Sequence, residues 1–257
     1  MGKPSRKAVC KFLKNKKEKG IDVAILNSDN LAHGRGVTRR TAEEMFGCGA
    51  DILTCGDHAW DNSQAFDILK AGDLNFVCPM NLAGQDHTLS GRIFEMNGVK
   101  ILVINLLGKI FIEKDVVSPF SAVDDILKAN EEGEKAKIII VDFHAEATSE
   151  KKALGEYLNG RVSAVLGSHT HVQTADEEIL SQGTAYISDS GMTGVKDSIL
   201  GCEKSAVLDQ FLKGDAFKYK LAEDGKVMIE GVLISIDPAT GKSENIFRLR
   251  EEIFIED

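Results

Sequence analysis

Four segments of the chain place histidine, aspartate and asparagine where they could hold metal ions. His169-Thr170-His171 follows the apolar run 162–166 through Gly167-Ser168, and His144 ends the run 138–143. Asp57-His58 follows the run 51–55 through Gly56, and Asp29-Asn30 follows the run 22–27. Alternate residues of an extended segment point the same way, so His169 and His171 are expected to reach one site. Imidazole nitrogen with carboxylate and amide oxygen suits manganese, iron, zinc or a similar ion. Two ions about 3.5–4 Å apart would clamp a phosphoryl group and generate a hydroxide nucleophile. An HxH pair, or an Asp-Asn pair after a strand, is weak evidence alone, since such residues more often hydrogen-bond or shape turns. The expectation of a metal site rests on the four segments together. His33 lies in the glycine-rich loop 31–37 and is read either as a substrate contact or as a solvated loop residue; Arg35 carries the same two readings for phosphate. His87, in a polar loop, is read as structural or exposed.

Such residues converge only if strands carry them to one edge of a sheet. Strand patterns at 22–27, 51–55, 137–143, 162–166 and 184–188 alternate with helix patterns at 38–46, 63–70, 121–130 and 150–158. Thr38 is placed to cap the first of these helices, and Gly47 lies near its end. Strands 92–96 and 99–105 form a hairpin closed by Asn97-Gly98, the preferred pair for a type I′ turn. Near the C-terminus, 217–221 and 227–237 read as antiparallel strands around Asp224-Gly225, with 246–255 as the last strand. Continuous apolar strands between helices imply a sheet covered on both faces, with polar ligands gathered at its carboxyl edge. The chain opens on a basic amphipathic helix with Val9, Phe12 and Leu13 on one face and its Lys/Arg run read as a solvated face.

Composition narrows the classes. The 257 residues suffice for one α/β domain, and a net charge of −9 disfavours a nucleic-acid coat or a binder of anionic membranes. No apolar run approaches the roughly 18 residues of a membrane span, and no apolar stretch of signal-peptide type follows the basic N-terminus. Five scattered cysteines without a CxxC pair fit reduced thiols in a cytoplasmic protein. Trp60 is read as a core or interface aromatic, or as a stacking surface for a base. Glu146 and Glu150, near His144, are read either as residues that orient ligands or as carboxylates favoured at a helix start.

Asn27-Ser28-Asp29-Asn30, Gly56-Asp57-His58-Ala59-Trp60-Asp61, DFHAEATSE at 142–150 and GSHTHVQTAD at 167–176 resemble the YmdB-like family of calcineurin-like metallophosphoesterases, as does Gly191-Met192-Thr193-Gly194. The resemblance covers essentially the whole chain. It implies an α/β fold of four layers, α/β/β/α, with two mixed sheets in a single domain over 1–257. It implies a cytoplasmic, homo-oligomeric phosphodiesterase with two divalent metal ions, iron or manganese. The implied partner is a small-molecule phosphodiester or cyclic nucleotide, 2′,3′-cyclic nucleotides leading, with no membrane and no stable nucleic-acid complex. Asp29 falls on the bridging carboxylate, Asn30 and His171 on first-metal ligands, and Asp57, His144 and His169 on second-metal ligands. His58 falls on the residue that donates a proton or stabilises the transition state.

The sequence departs from the family pattern at three places. The usual first strand, ending in Gly-Asp, has no counterpart, and Gly2-Lys3-Pro4-Ser5-Arg6 resembles the loop after it. Asp29 stands where the family has Glu, and Asp57 where it has Asn. Without the first strand, a neighbouring strand edge and some core surface are expected to be uncovered. A catalytically weakened homologue that binds nucleotide or protein is therefore the alternative expectation.

Overall fold

Val9, Phe12 and Leu13 recur at helical spacing, and in the computed structural model they are buried on one face of α1 (Gly2–Leu13). The structure describes residues 2–83, 92–133, 135–214 and 220–255. His87 and most of the predicted strand 217–221 therefore lie outside the described residues. Arg6 departs from the expected solvated face: it is 9% exposed, donates to Glu44 at 2.9 Å and also reaches the Leu31 carbonyl.

Short β1 (Ile25–Asn27) runs parallel to β2 (Ile52–Thr54), with α2 (Arg39–Gly47) as the crossover. Thr38 caps α2 as expected, its side chain accepting from the Thr41 amide. After β2 comes α3 (Gln64–Ala71), ended by Gly72 in the left-handed conformation.

The largest sheet is mixed. β3 (Arg92–Met96) and β4 (Val99–Leu107) form the expected hairpin, with Asn97 and Gly98 both at positive φ. β4, β5 (Ile138–His144), β6 (Ala164–Ser168) and β8 (Ala185–Ile187) run parallel in that order, and β7 (Glu178–Ile179) closes the far edge antiparallel. Alternation splits the apolar residues between two faces. Leu102, Ile104, Ile139, Val141 and Phe143 pack with residues of α4 (Pro119–Glu132) and α5 (Thr148–Tyr157). Ile101, Val103, Ile138 and Ile140 face the other way, toward Ile25 and Ile234.

A third sheet is antiparallel: β9 (Thr193–Val195), β10 (Val227–Ile236) and β11 (Ser243–Ile253), with α6 (Lys204–Lys213) between β9 and β10. β10 pairs with β9 and β11, and the turn joining β10 to β11 is 237–242, where Gly241 takes positive φ; the expected pairing of 227–237 with 217–221 falls mostly outside the described residues. The described strands thus form three sheets rather than the expected two. The pair β1–β2 stands apart because each strand is three residues long and joins no further ladder, although Leu53 bridges to Phe76. Among the described residues no strand pairs with the other edge of β1. That edge lines a cavity of about 680 Å³ bounded by α1, β10 and the Ile101–Ile140 face.

The cysteines correct a second expectation. Cys10 of α1 and Cys48 at the end of α2 form a disulfide, with Cα atoms 4.7 Å apart, because α1 packs directly against α2. Cys55, Cys78 and Cys202 are free and buried, as small core residues are.

Candidate metal centre

Carboxyl ends of β1, β2, β5 and β6 converge on one end of the cavity, and their following residues bring the predicted side chains together. His144 Nε2 lies 3.0 Å from Asp57 Oδ1, 2.9 Å from His169 Nδ1 and 3.7 Å from Asp29 Oδ2. His169 Nδ1 is 3.6 Å from Asp57 Oδ1. Asp57, His144 and His169 offer ligand atoms within 4.8 Å of one another, and Asp29, Asp57 and His58 form a second such group sharing Asp57. Asn30 and His171 meet each other, Oδ1 to Nε2 at 2.9 Å, and both line the same cavity.

Close backbone approach makes this packing possible. A Cβ on Gly56 would lie 2.3–2.5 Å from the His144 ring, so only glycine lets the loop after β2 reach the end of β5. The segment 169–171 is not extended, as the alternation argument expected. His169 has φ 107° and His171 φ 61°, both in the left-handed region that side chains seldom adopt.

A network behind the cluster fixes its orientation. Ser168 Oγ lies 3.1 Å from His144 Nδ1 and donates to Asp142 Oδ1 at 2.6 Å. Thr54 Oγ1 and Asn27 Nδ2 donate to the other Asp142 oxygen. Glu146 Oε2 is 3.3 Å from His169 Nε2, so this carboxylate orients a candidate ligand. Glu150 is elsewhere: it accepts from the Lys109 and Ile110 amides.

The electrostatics describe a site suited to a cation. Burial opposes ionisation of Asp57, but hydrogen bonds with His144 and His169 outweigh it and hold its carboxyl far below the usual range. Burial likewise opposes charge on His144, while the Asp29 charge and the Asp57 bond raise its pKa above the ordinary value. His171 is pushed down to about 4 by burial and then by the His144 charge. Asp142 is raised by burial, despite its bonds from Ser168 and Thr54. Among the described residues, the ion-pair partners of Asp29 and Asp57 are imidazoles only. Two carboxylates, one of them 1% exposed, beside convergent imidazoles fit a divalent ion in chemistry and in spacing.

His58 donates its amide to Asp29 Oδ1 at 3.0 Å, and its Nδ1 is 2.8 Å from Asp61 Oδ2. Lys114 and Arg35 approach the same Asp61 carboxylate at 3.6 and 3.9 Å. His33 is exposed and is not part of the cavity lining. Trp60 packs with Phe66 and against Leu82, Leu107 and Val116, as a core aromatic. Sequence reasoning did not find Asp142, although it lies two residues before His144 on a strand and must share its face. Nor did it find Asp61, Ser168 or Asp189; the last is joined to the site only by the fold.

No described helix is long and apolar enough to cross a membrane. A sequence model of the family described as YmdB-like protein matches residues 1–249. The 2′,3′-cyclic-nucleotide 2′-phosphodiesterase of Bacillus subtilis is 40% identical over 250 residues, 97% of this chain and 93% of that protein. A putative phosphatase/phosphodiesterase of Mycoplasma genitalium is 30% identical over 257 residues, covering 97% and 89%. Two crystal structures are similar throughout. A hypothetical protein from Thermus thermophilus superposes with TM-score 0.87 at 35% identity, over 98% of this chain and 96% of that one. A novel phosphatase from Mycoplasma pneumoniae gives 0.85 at 30%, over 98% and 90%.

Proposed function

The chain belongs to the YmdB-like family, and from that membership we propose that it is a metal-dependent phosphodiesterase acting on 2′,3′-cyclic nucleotides. The observation that carries the reading is the convergence of Asp57, His144 and His169 beside Asp29 and His58, with His144 and His169 lining the cavity. Asp57, His144 and His169 would hold one divalent ion and Asn30 and His171 a second, with Asp29 between them; iron or manganese suits the donors. When bound, the ions would supply Lewis acidity, drawing charge from phosphoryl oxygens and lowering the pKa of a water.

The chain's own groups supply the rest. Asp61 holds His58 through Nδ1, which leaves Nε2 to carry a proton to the leaving oxygen. In a 2′,3′-cyclic substrate cleaved as in the Bacillus subtilis relative, the bond from phosphorus to the 2′ oxygen breaks, and that oxygen takes the proton. Lys114 and Arg35 place positive charge beside Asp61, where a substrate phosphate would approach. The layered α/β/β/α arrangement of one domain over 1–257, the cytoplasmic setting and a homo-oligomer are part of the same proposal, as is a phosphodiester substrate without a nucleic-acid complex. The alternative of a non-hydrolysing regulator is not favoured, since the relatives carry phosphodiesterase names and the cluster is assembled.

The test is hydrolysis of 2′,3′-cyclic AMP by purified protein with Mn²⁺, resolved by chromatography. The 3′-monophosphate is expected. No turnover of this substrate or of bis-p-nitrophenyl phosphate, with Mn²⁺ or Fe²⁺ bound, would sink the proposal.

A further inference from the structure

The structure assigns Asp189, held by Lys151, as a positioning residue for the two histidines of the segment 169–171. This rests on the reading that His169 and His171 hold metal ions. Both histidines occupy left-handed backbone, which persists only where the surroundings over-determine it. What determines it lies between them. The Thr170 amide donates to Asp189 Oδ2 at 3.0 Å, and the Thr170 hydroxyl donates to the same oxygen at 2.8 Å. One carboxylate oxygen thus grips both the backbone and the side chain of the residue that separates the two imidazoles.

Asp189 is itself fixed from four directions. Lys151 of α5 donates to Oδ2 at 2.9 Å, and the Gly191 amide donates to Oδ1 at 2.9 Å. The Asp189 amide donates to Thr174 Oγ1 at 2.9 Å, and the Thr174 amide returns a bond to the Asp189 carbonyl at 3.1 Å. Lys151 and Asp189 are each 1% exposed, and neither lines the cavity. They therefore act from behind the loop and touch no substrate. A buried ion pair is a poor source of stability, because desolvation offsets most of the attraction. Its contribution here is geometric: α5 and the segment after β8 are tied to Thr170, and the imidazoles on either side are aimed in consequence. His169 then meets His144 and Asp57, and His171 meets Asn30.

The test is Mn²⁺ affinity by calorimetric titration of metal-free protein, beside its thermal midpoint without metal. Thr170→Val keeps shape and loses the hydroxyl; Thr170→Ser keeps the hydroxyl; Asp189→Asn keeps volume and loses the charge. Thr170→Val is expected to bind Mn²⁺ about tenfold more weakly. Its metal-free midpoint should fall only by about 2–4 °C, the loss of one hydrogen bond. Thr170→Ser should bind like the wild type, and Asp189→Asn should lose about tenfold or more. Wild-type affinity in both Thr170→Val and Asp189→Asn would overturn the assignment, as would an equal loss in Thr170→Ser and Thr170→Val. A wild type that binds no Mn²⁺ would sink the metal reading of the site itself, and the positioning role with it.

Discussion

Nδ1 of His144 lies 3.1 Å from Oγ of Ser168. The Ser168 hydroxyl proton is committed to Asp142, so Oγ accepts from Nδ1–H, and Nε2 is left facing Asp57, His169 and Asp29. The serine thereby selects the tautomer that a metal ligand needs. Ser168→Ala is expected to weaken Mn²⁺ binding by about 10–100-fold. Titration at a pH where imidazoles are neutral checks this, and an unchanged affinity would remove the tautomer argument.

Metal binding should release a proton near neutral pH. Burial works against charge on His144, but Asp29 and Asp57 raise its pKa, so metal-free protein holds a proton where an ion would sit. Asp57 is already ionised, and His171, pushed down to about 4, is already neutral. Calorimetric titration with Mn²⁺ at about pH 6.5, in buffers of different ionisation enthalpy, should show net proton release. No dependence on buffer would contradict this account of the site.

The same shifts give the pH dependence of the metal-free fold, and their signs oppose. His144, raised in the fold, stabilises fully below its unfolded pKa of about 6.5, and that contribution is lost as pH rises through the folded value. His171 is depressed, so its contribution is present above about pH 6.5 and is lost as pH falls toward about 4. His144→Gln should therefore remove stability at pH 6 and little at pH 9. Thermal midpoints of metal-free wild type and variant at the two pH values test the sign.

Much of this was legible in local pattern. Thr38, Asn97-Gly98 and the alternation of β4 and β5 each announce a cap, a turn or a two-faced strand, because those signals act within a few residues. Asp29, Asp57, His144 and His169 were legible as strand-end residues, and the fold brings them together. What was not legible depends on pairing across the fold. Asp189 sits nineteen residues beyond Thr170, yet grips it from the next strand's end. Nor does an extended apolar context foretell positive φ at His169 and His171.

Asp57 tests the charge of the donor set. Asp57→Asn keeps an oxygen toward His144 and His169 but removes one negative charge. Nε2 of His144 is 3.0 Å from that oxygen, so the imidazolium loses its nearest counter-ion. His144 in metal-free protein should titrate lower by NMR. Mn²⁺ affinity should fall with it at pH 8, where proton competition is small. An unmoved His144 titration would show that Asp29, at 3.7 Å, carries the effect alone.

His58 is the last group to test, because its place admits two roles. It belongs to a ligand-type group with Asp29 and Asp57, yet its Nδ1 is taken by Asp61. As a proton donor, it matters in proportion to the basicity of the leaving oxygen. A ribose oxygen needs the proton; p-nitrophenolate leaves without one. His58→Ala should therefore lower kcat on 2′,3′-cyclic AMP by about 10²–10⁴-fold, and far less on bis-p-nitrophenyl phosphate, with manganese content unchanged. Asp61→Asn should show the same ordering with smaller losses, since it loosens Nδ1 without removing the ring. Equal losses on both substrates with metal retained would make His58 a phosphate-binding residue rather than an acid. Loss of manganese would make it a ligand.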